Sequence, residues 1–292
     1  VLRQLVGHGL KPEWALRAAT LNAAMRLGRA DLGLIAAGRR ADIAIFANLA
    51  DFRASHVFAS GRLVARDGVA TVPLDAHEPA LLRDRMKLGR LTEDDFRVRA
   101  DGVSVQLATI DRPRFTRWGE VTADVEDGFV VPPDDAAMIA VAHRHGRADS
   151  RPRVGFLTGW GAWRGAFCTT VSHDSHNLTV FGGNARDMAV AANAVIEAGG
   201  GLAVASDGKV DAVLPLPLAG LVSDGPLAEV AEGFRAVRSA IDRIVDWQPP
   251  LLTFKACFGA TLACNAGPHQ TDRGIADVTT GTLRESPVLE NV

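Results

Sequence analysis

The stretch GFLTGWGAWRGAFCTTVSHDSHNLTVFGGNARDMAVAANAVIEAGG, residues 155–200, changes its period once and cleanly. Its first part predicts short strands at 153–159, 166–173 and 177–182, broken by glycines beside Trp160 and Trp163. From Asp187 the apolar residues recur at helical intervals until Gly199, Gly200 and Gly201 stop the helix. Strands followed by a helix that must cover them predict an α+β arrangement, an antiparallel sheet with packed helices.

Working outward, further strands are expected at 103–109, 119–125, 128–131 and 137–142. LAVASDGKVDAVLPLPL, 202–218, reads as a hairpin turning at Asp207 and Gly208, which turn chemistry explains without a catalytic role. LAEVAEGFRAVRSAIDRIV, 227–245, is an amphipathic helix that Asp224 is placed to cap ahead of Pro226. Residues 71–100 are charged, contain Pro73 and Pro79, and include a helical LLRDRMKL at 81–88.

Residues 1–27 predict helix, interrupted near Gly9 and restarted with Pro12 in its first turn. Trp14, Ala18, Leu21 and Met25 give it an apolar face. LGLIAAGRRADIAIFA, 32–47, alternates around a turn at Gly38, and HVFASGRLVARDG adds two strands around Ser60 and Gly61. The expected organisation is a helical segment at 1–30, a small β-sandwich segment at 31–75, a linker or lid at 76–100, and a second domain at 101–292. Val1 already reads as mid-helix, so a longer polypeptide is expected.

The bulk numbers exclude several functions. The chain has 292 residues, 47% hydrophobic and 23% charged, enough for a buried core. Its net charge of -2 provides no basic field for nucleic acid or a membrane surface. No apolar run reaches the ~20 residues of a membrane span, and no signal peptide is visible, so a cytoplasmic setting is expected. Cys168, Cys257 and Cys264 are too few and too irregular for a disulfide framework or a zinc knuckle.

The densest polar cluster is VSHDSHN, 171–177. An extended 171–174 would put His173 on the face opposite Asp174, and a turn around Ser175 would return His176 to His173. The two imidazoles could then line a cleft or hold a metal. The competing reading is a hydrogen-bonded turn in which Asp174 and Ser175 cap backbone amides. His143 and His145, two apart, can share one strand face. Trp160 and Trp163 could stack on a flat base or fill the core. His8 reads as an exposed helix end, and Asp272 with Arg273 as an exposed pair. Gly199–Gly201 follows a helix, the wrong order for a phosphate loop.

Two stretches resemble known families. TLNAAMRLG with GLIAAGRRADIAIF, within 20–46, resembles the end of the amidohydrolase superfamily pattern, where the last barrel helix returns to a small β-sandwich. Residues 155–224, with SHDSHN, the GGN helix start, DGKV and LPLPLAGLVSD, resemble the C-terminal domain of the adenine deaminase family, as does TDRGIADV at 271–278. The resemblance implies hydrolytic deamination of adenine to hypoxanthine and ammonia in purine salvage. It implies a divalent two-metal centre, manganese or iron, held by barrel residues that this sequence lacks, since no His-x-His precedes residue 28. On that resemblance His173, Asp174 and His176 are catalytic candidates, and Ser172, Ser175, Asn177 and Trp160 are candidates for substrate contact. His173 and His176 are the metal-ligand candidates, and His143 with His145 is a weaker pair, read more readily as a surface strand end than as a ligand or substrate contact.

The isolated chain is expected to be inactive. A homo-oligomer is expected, because Trp14 and Met25 offer apolar surface. Two other readings stay open: a non-catalytic subunit needing a barrel in trans, or an amidohydrolase acting on another cyclic amidine or amide.

Overall fold

A computed structural model describes residues 1–73, 82–246, 257 and 259–291. The chain divides into two compact units, Val1–Glu78 and Pro79–Val292. The expected junction at 75–76 lies outside the described residues.

In the first unit, α1 (Leu2–Gly7) is followed by α2 (Pro12–Arg17), which runs through a π-helical turn at Ala18–Asn22 into α3 (Ala23–Arg26). Pro12 sits at the start of α2, where its missing N–H costs nothing. Only Ala15 and Ala24 are buried on these helices, while Trp14 and Met25 are exposed. The apolar face expected there is therefore uncovered in this unit. A four-stranded antiparallel sheet follows: β1 (Ile43–Phe46), β2 (Ala54–Ala59), β3 (Arg62–Arg66) and β4 (Val69–Ala70). Residues 32–42 form no strand despite their alternation. The Arg40 N–H instead bonds the Asp31 carbonyl at 2.9 Å and folds this run into turns.

The second unit is built on one ten-stranded sheet. Its strands are β5 (Ser104–Asp111), β6 (Arg117–Glu126), β7 (Phe129–Val130), β8 (Ala136–Ala142) and β9 (Arg153–Thr158), then β11 (Ala166–Thr169), β12 (Leu178–Gly182), β13 (Gly201–Ser206), β14 (Lys209–Pro215) and β19 (Val288–Asn291). The order is β14-β13-β11-β12-β8-β9-β5-β6-β7, with β19 also on β5. Only the β5–β9 pair is parallel; the rest are antiparallel. A two-stranded ribbon pairs β10 (Ala162–Trp163) with β15 (Val245–Asp246). A three-stranded sheet joins β16 (Pro268–Thr271), β17 (Gly274–Asp277) and β18 (Thr282–Arg284).

The central strands are apolar on both faces, as strands buried between two layers must be. Cys168, Val180, Ala203 and Ala140 face α4 (Ala185–Glu197), which contributes Met188, Ala191, Ala192 and Val195. Their neighbours Phe167, Phe181, Val204 and Ile139 face the other way, toward Val237, Ala240, Ile241 and Ile244 of α5 (Leu227–Ile244). A helix–sheet–helix sandwich results, in the expected α+β class.

The helix read from Asp187 onward begins at Ala185, with Asn184 as its cap accepting the Asp187 N–H at 2.8 Å. The Asp187 carboxylate instead takes the Gly208 N–H at 2.7 Å and so ties the helix to the β13–β14 turn. At α5, Pro226 occupies the cap position and Asp224 pairs with Arg83. The helix expected at 81–88 is absent from its described part: no α-helix occurs in 82–88, and 84–90 has no regular structure. Met86, Leu88 and Leu91 pack on the α4-side core, and Asn193 bonds both the N–H and the carbonyl of Leu91. The described part of the expected linker is thus sewn onto the second unit.

Candidate functional site

The SHDSHN loop closes the β11–β12 hairpin. The strand expected to run to 173 stops at Thr169 because side chains take over the backbone partners. The Thr170 hydroxyl accepts the Gly201 N–H at 2.8 Å and donates to the Gly220 carbonyl at 2.5 Å. The Thr169 hydroxyl accepts the Val171 N–H at 2.9 Å. Residues 170–177 leave the ladder there and return at Leu178.

The returning turn brings the two imidazoles together. The His173 and His176 ring centroids are 5.4 Å apart at an interplanar angle of 62°. The His176 N–H donates to the Ser172 carbonyl at 2.7 Å, and the Ser172 N–H donates to His176 Nδ1 at 3.3 Å. A neutral His176 therefore carries its proton on Nε2. Its φ of +50° lies in the left-handed region, a cost held in place by these bonds.

The loop separates into an inner and an outer layer. Ser172 is fully buried and its hydroxyl bonds Thr261 at 2.6 Å and Thr179 at 2.8 Å. Thr261 also donates to the His173 carbonyl at 2.5 Å. Asn177 is buried, and its Oδ1 has no hydrogen-bond partner among the described residues. His173, Asp174 and Ser175 are exposed, and His176 is half-buried between the layers. Ser172 thus serves as a brace in this chain, its hydroxyl already engaged away from solvent. Trp160, also expected at substrate, is 1% exposed in the α5-side core and lines a separate cavity.

A second His pair backs the first. His143 and His145 have centroids 5.3 Å apart. His143 Nε2 accepts the Arg147 N–H at 3.2 Å, so its proton sits on Nδ1, 3.3 Å from the Asp272 carboxylate. His145 Nε2 donates to the Ser175 carbonyl at 3.2 Å. Between them Arg144, 1% exposed, donates to the carbonyls of His176 at 2.6 Å, Ala219 at 2.8 Å and Arg85 at 3.4 Å. Its guanidinium lies against Gly220, where a Cβ would meet it at 2.8 Å.

Charge follows from this burial. The His176 pKa is lowered, first by burial and then by the neighbouring His173 and Arg144, with Asp174 opposing. The His145 pKa is lowered by burial, while its bond to the Ser175 carbonyl raises it. Both rings are therefore biased to the neutral form near pH 7. Beside the loop, Asp174 pushes the Cys264 thiol up.

Arg144, Thr179, Thr261 and Cys264 were not legible as site residues. Arg144 had a signal, a guanidinium following the apolar AAMIAVAH run. Thr261 is 88 residues from His173 and carried none.

Two family models match this chain. Residues 113–282 match the adenine deaminase C-terminal domain, and residues 1–64 match the amidohydrolase family. The chain belongs to the adenine deaminase family. It is 71% identical over 99% of its length to "Adenine deaminase 2" of Rhizobium meliloti (strain 1021). It is 48% identical over 95% to "Adenine deaminase" of Klebsiella pneumoniae subsp. pneumoniae, and 37% over 96% to that of Nitratidesulfovibrio vulgaris. The chain spans about half of each relative, 49%, 47% and 49% respectively.

The amidohydrolase match implies a divalent metal centre. The described residues do not fit one: no group of three or more His, Cys, Asp or Glu side chains among them could hold an ion. His143 Nε2 and His176 Nδ1, moreover, already accept backbone N–H groups. Among the described residues no helix is long and apolar enough to cross a membrane.

Proposed function

We propose that this chain is the C-terminal part of an enzyme that converts adenine and water to hypoxanthine and ammonia. The observation that carries this reading is 71% identity over nearly the whole chain to a protein named adenine deaminase. For the metal we keep manganese or iron in a two-metal centre whose ligands are not among the described residues. Purine salvage in the cytoplasm, and a homo-oligomer joined through exposed apolar residues such as Trp14, complete the reading.

Water adds at C6 of the purine ring, and the departing amine and a ring nitrogen must each collect a proton. We assign that traffic to the outer layer of the loop. His173 and Asp174 are exposed at the surface, and the His173 ring rests edge-on against His176. His176, held neutral with Nε2–H available, orients His173 or donates a hydrogen bond to a ring acceptor. The Ser175 hydroxyl, whose oxygen accepts the Asn177 N–H at 3.3 Å, keeps its own proton to donate beside them. No nucleic acid or membrane partner is part of this reading, since the net charge is -2.

The test is a chimera in which this chain replaces the matching half of the Rhizobium meliloti relative. Ammonia release from adenine is expected, with none from the 292-residue chain alone. His173→Ala and His176→Gln should each lower kcat by ~100-fold or more, as loss of a proton-transfer group does. A well-folded chimera without turnover, or full rate in both variants, would refute the assignment.

A further inference from the structure

A cavity of about 180 Å³ borders the α5-side core, which gives it Trp160 as part of its wall. It is lined by Arg114, Thr116, Trp160, Leu262, Asn265 and His269. Two segments make its walls, the loop before β6 and the loop before β16, and they are held in close approach at Gly267. A Cβ there would meet the Thr116 carbonyl oxygen at 2.2 Å, so only glycine lets the walls meet this tightly.

His269 is the informative residue. It is 2% exposed, and its Nδ1 lies 2.9 Å from the Gly267 carbonyl. A carbonyl only accepts, so Nδ1 carries the proton and Nε2 presents a lone pair. No hydrogen bond to Nε2 occurs among the described residues. Burial lowers the His269 pKa, with the Gly267 bond and Asp277 opposing, which keeps that lone pair available near pH 7. That acceptor belongs to a residue in the wall of a cavity whose other surfaces are an indole, an amide, a hydroxyl and a guanidinium. An engineered cavity of about 150 Å³ takes up benzene, so this one accommodates a flat one- or two-ring molecule.

We propose that this cavity binds a purine base, with a ring N–H donating to His269 Nε2, the ring plane on Trp160, and Asn265 and Arg114 reaching its exocyclic group. The cavity chemistry alone gives a flat heterocycle bearing a ring N–H. Its narrowing to a purine rests on the deaminase reading above. The site is distinct from the SHDSHN loop, although Thr261, which braces that loop, lies in the same 259–265 segment as Leu262 and Asn265.

Titration calorimetry of the 292-residue chain with adenine and with hypoxanthine tests it. Saturable binding with a Kd below ~1 mM is expected for at least one base. His269→Phe, which keeps a flat ring but removes the acceptor, should weaken it at least ~10-fold. The exposed Asn265→Ala, which threatens no packing, should weaken it ~3- to 10-fold by loss of one hydrogen bond. Absence of saturable binding to ~1 mM, or equal affinity in the wild type and both variants, would overturn the proposal. Binding is read without turnover and deamination by ammonia release from the chimera, so either reading can fail while the other stands.

Discussion

Arg144→Met should destabilise the second unit by about 3 kcal/mol. The wild-type guanidinium holds two well-formed bonds, to the His176 carbonyl at 2.6 Å and the Ala219 carbonyl at 2.8 Å. A charged hydrogen bond contributes about 1.5–3 kcal/mol, so the pair contributes roughly 3–6 kcal/mol. The longer contact to Arg85, at 3.4 Å, adds little. Opposing this is the cost of keeping a guanidinium at 1% exposure with no carboxylate among its hydrogen-bond partners. Its pKa is lowered by burial, so part of the gain is already consumed. Methionine fills similar volume but leaves both carbonyls unpaired, which is the dominant loss. Urea unfolding followed by tryptophan fluorescence reads the difference, with Arg144→Lys expected in between because an ammonium lacks the rigid fork. A loss under ~1 kcal/mol for Met, or Lys no better than Met, would show that this guanidinium is not what clamps the loop.

Three further outcomes follow from the same contacts. His145, His176 and His269 all have lowered pKa values in the folded chain; their stability contribution is complete above the unfolded value near ~6.5 and is lost as pH falls through the folded ones. The urea midpoint should therefore drop between pH 7.5 and pH 5, and replacing the three by Gln should flatten that slope. A native thiol assay should label Cys264 alone, since Cys168 and Cys257 are buried with thiols pushed up by desolvation; Asp174→Asn should speed that labelling, and an unchanged rate would deny their proximity. Thr261→Val should cost about 1–3 kcal/mol, since it strips the bonds to Ser172 and the His173 carbonyl, with urea unfolding as the measure and a neutral result counting against the brace.

The elements that were legible in sequence are those whose pattern is local. β13 and β14 with their Asp207–Gly208 turn, the α5 helix and the β2–β3 hairpin follow from alternation, turn residues and helical period alone. Residues 32–42 alternate just as well and form no strand, because β1 already has its partner in β2, while the earlier run turns back through the Arg40–Asp31 bond and lays Gly33 against Leu21 and Ala24. The early end of β11 was hidden for another reason. Thr170 looks like any β-branched strand residue, and only the arrival of Gly201 and Gly220, 31 and 50 residues away, turns its hydroxyl into a terminator. At the loop, proximity of His173 and His176 was readable from a turn at Ser175. Which residues face outward was not, because that depends on Thr261, Thr179 and Arg144 closing in from elsewhere.

The loop's two readings, tight turn or functional cluster, therefore describe different atoms of the same residues. The turn reading applies to the inner layer: Ser172 with its two threonine partners, Asn177 beneath, and the His176 backbone in Arg144's fork. Ser172 and Asn177 are buried, and the bonds of Thr261 and Arg144 to the His173 and His176 carbonyls fix the backbone there. The functional reading applies to what the fixed backbone then holds up, the side chains of His173 and Asp174 and the Nε2 edge of His176. Ser175 meets the need of the turn itself, its hydroxyl oxygen accepting the Asn177 N–H at 3.3 Å. The Asp174 carboxylate is instead exposed beside the Cys264 thiol. Substitutions should accordingly divide by layer, inner ones lowering stability and outer ones lowering turnover of the chimera at unchanged stability. A His173→Ala variant that lost stability like Thr261→Val while keeping its rate would collapse the distinction and return the whole motif to a structural turn.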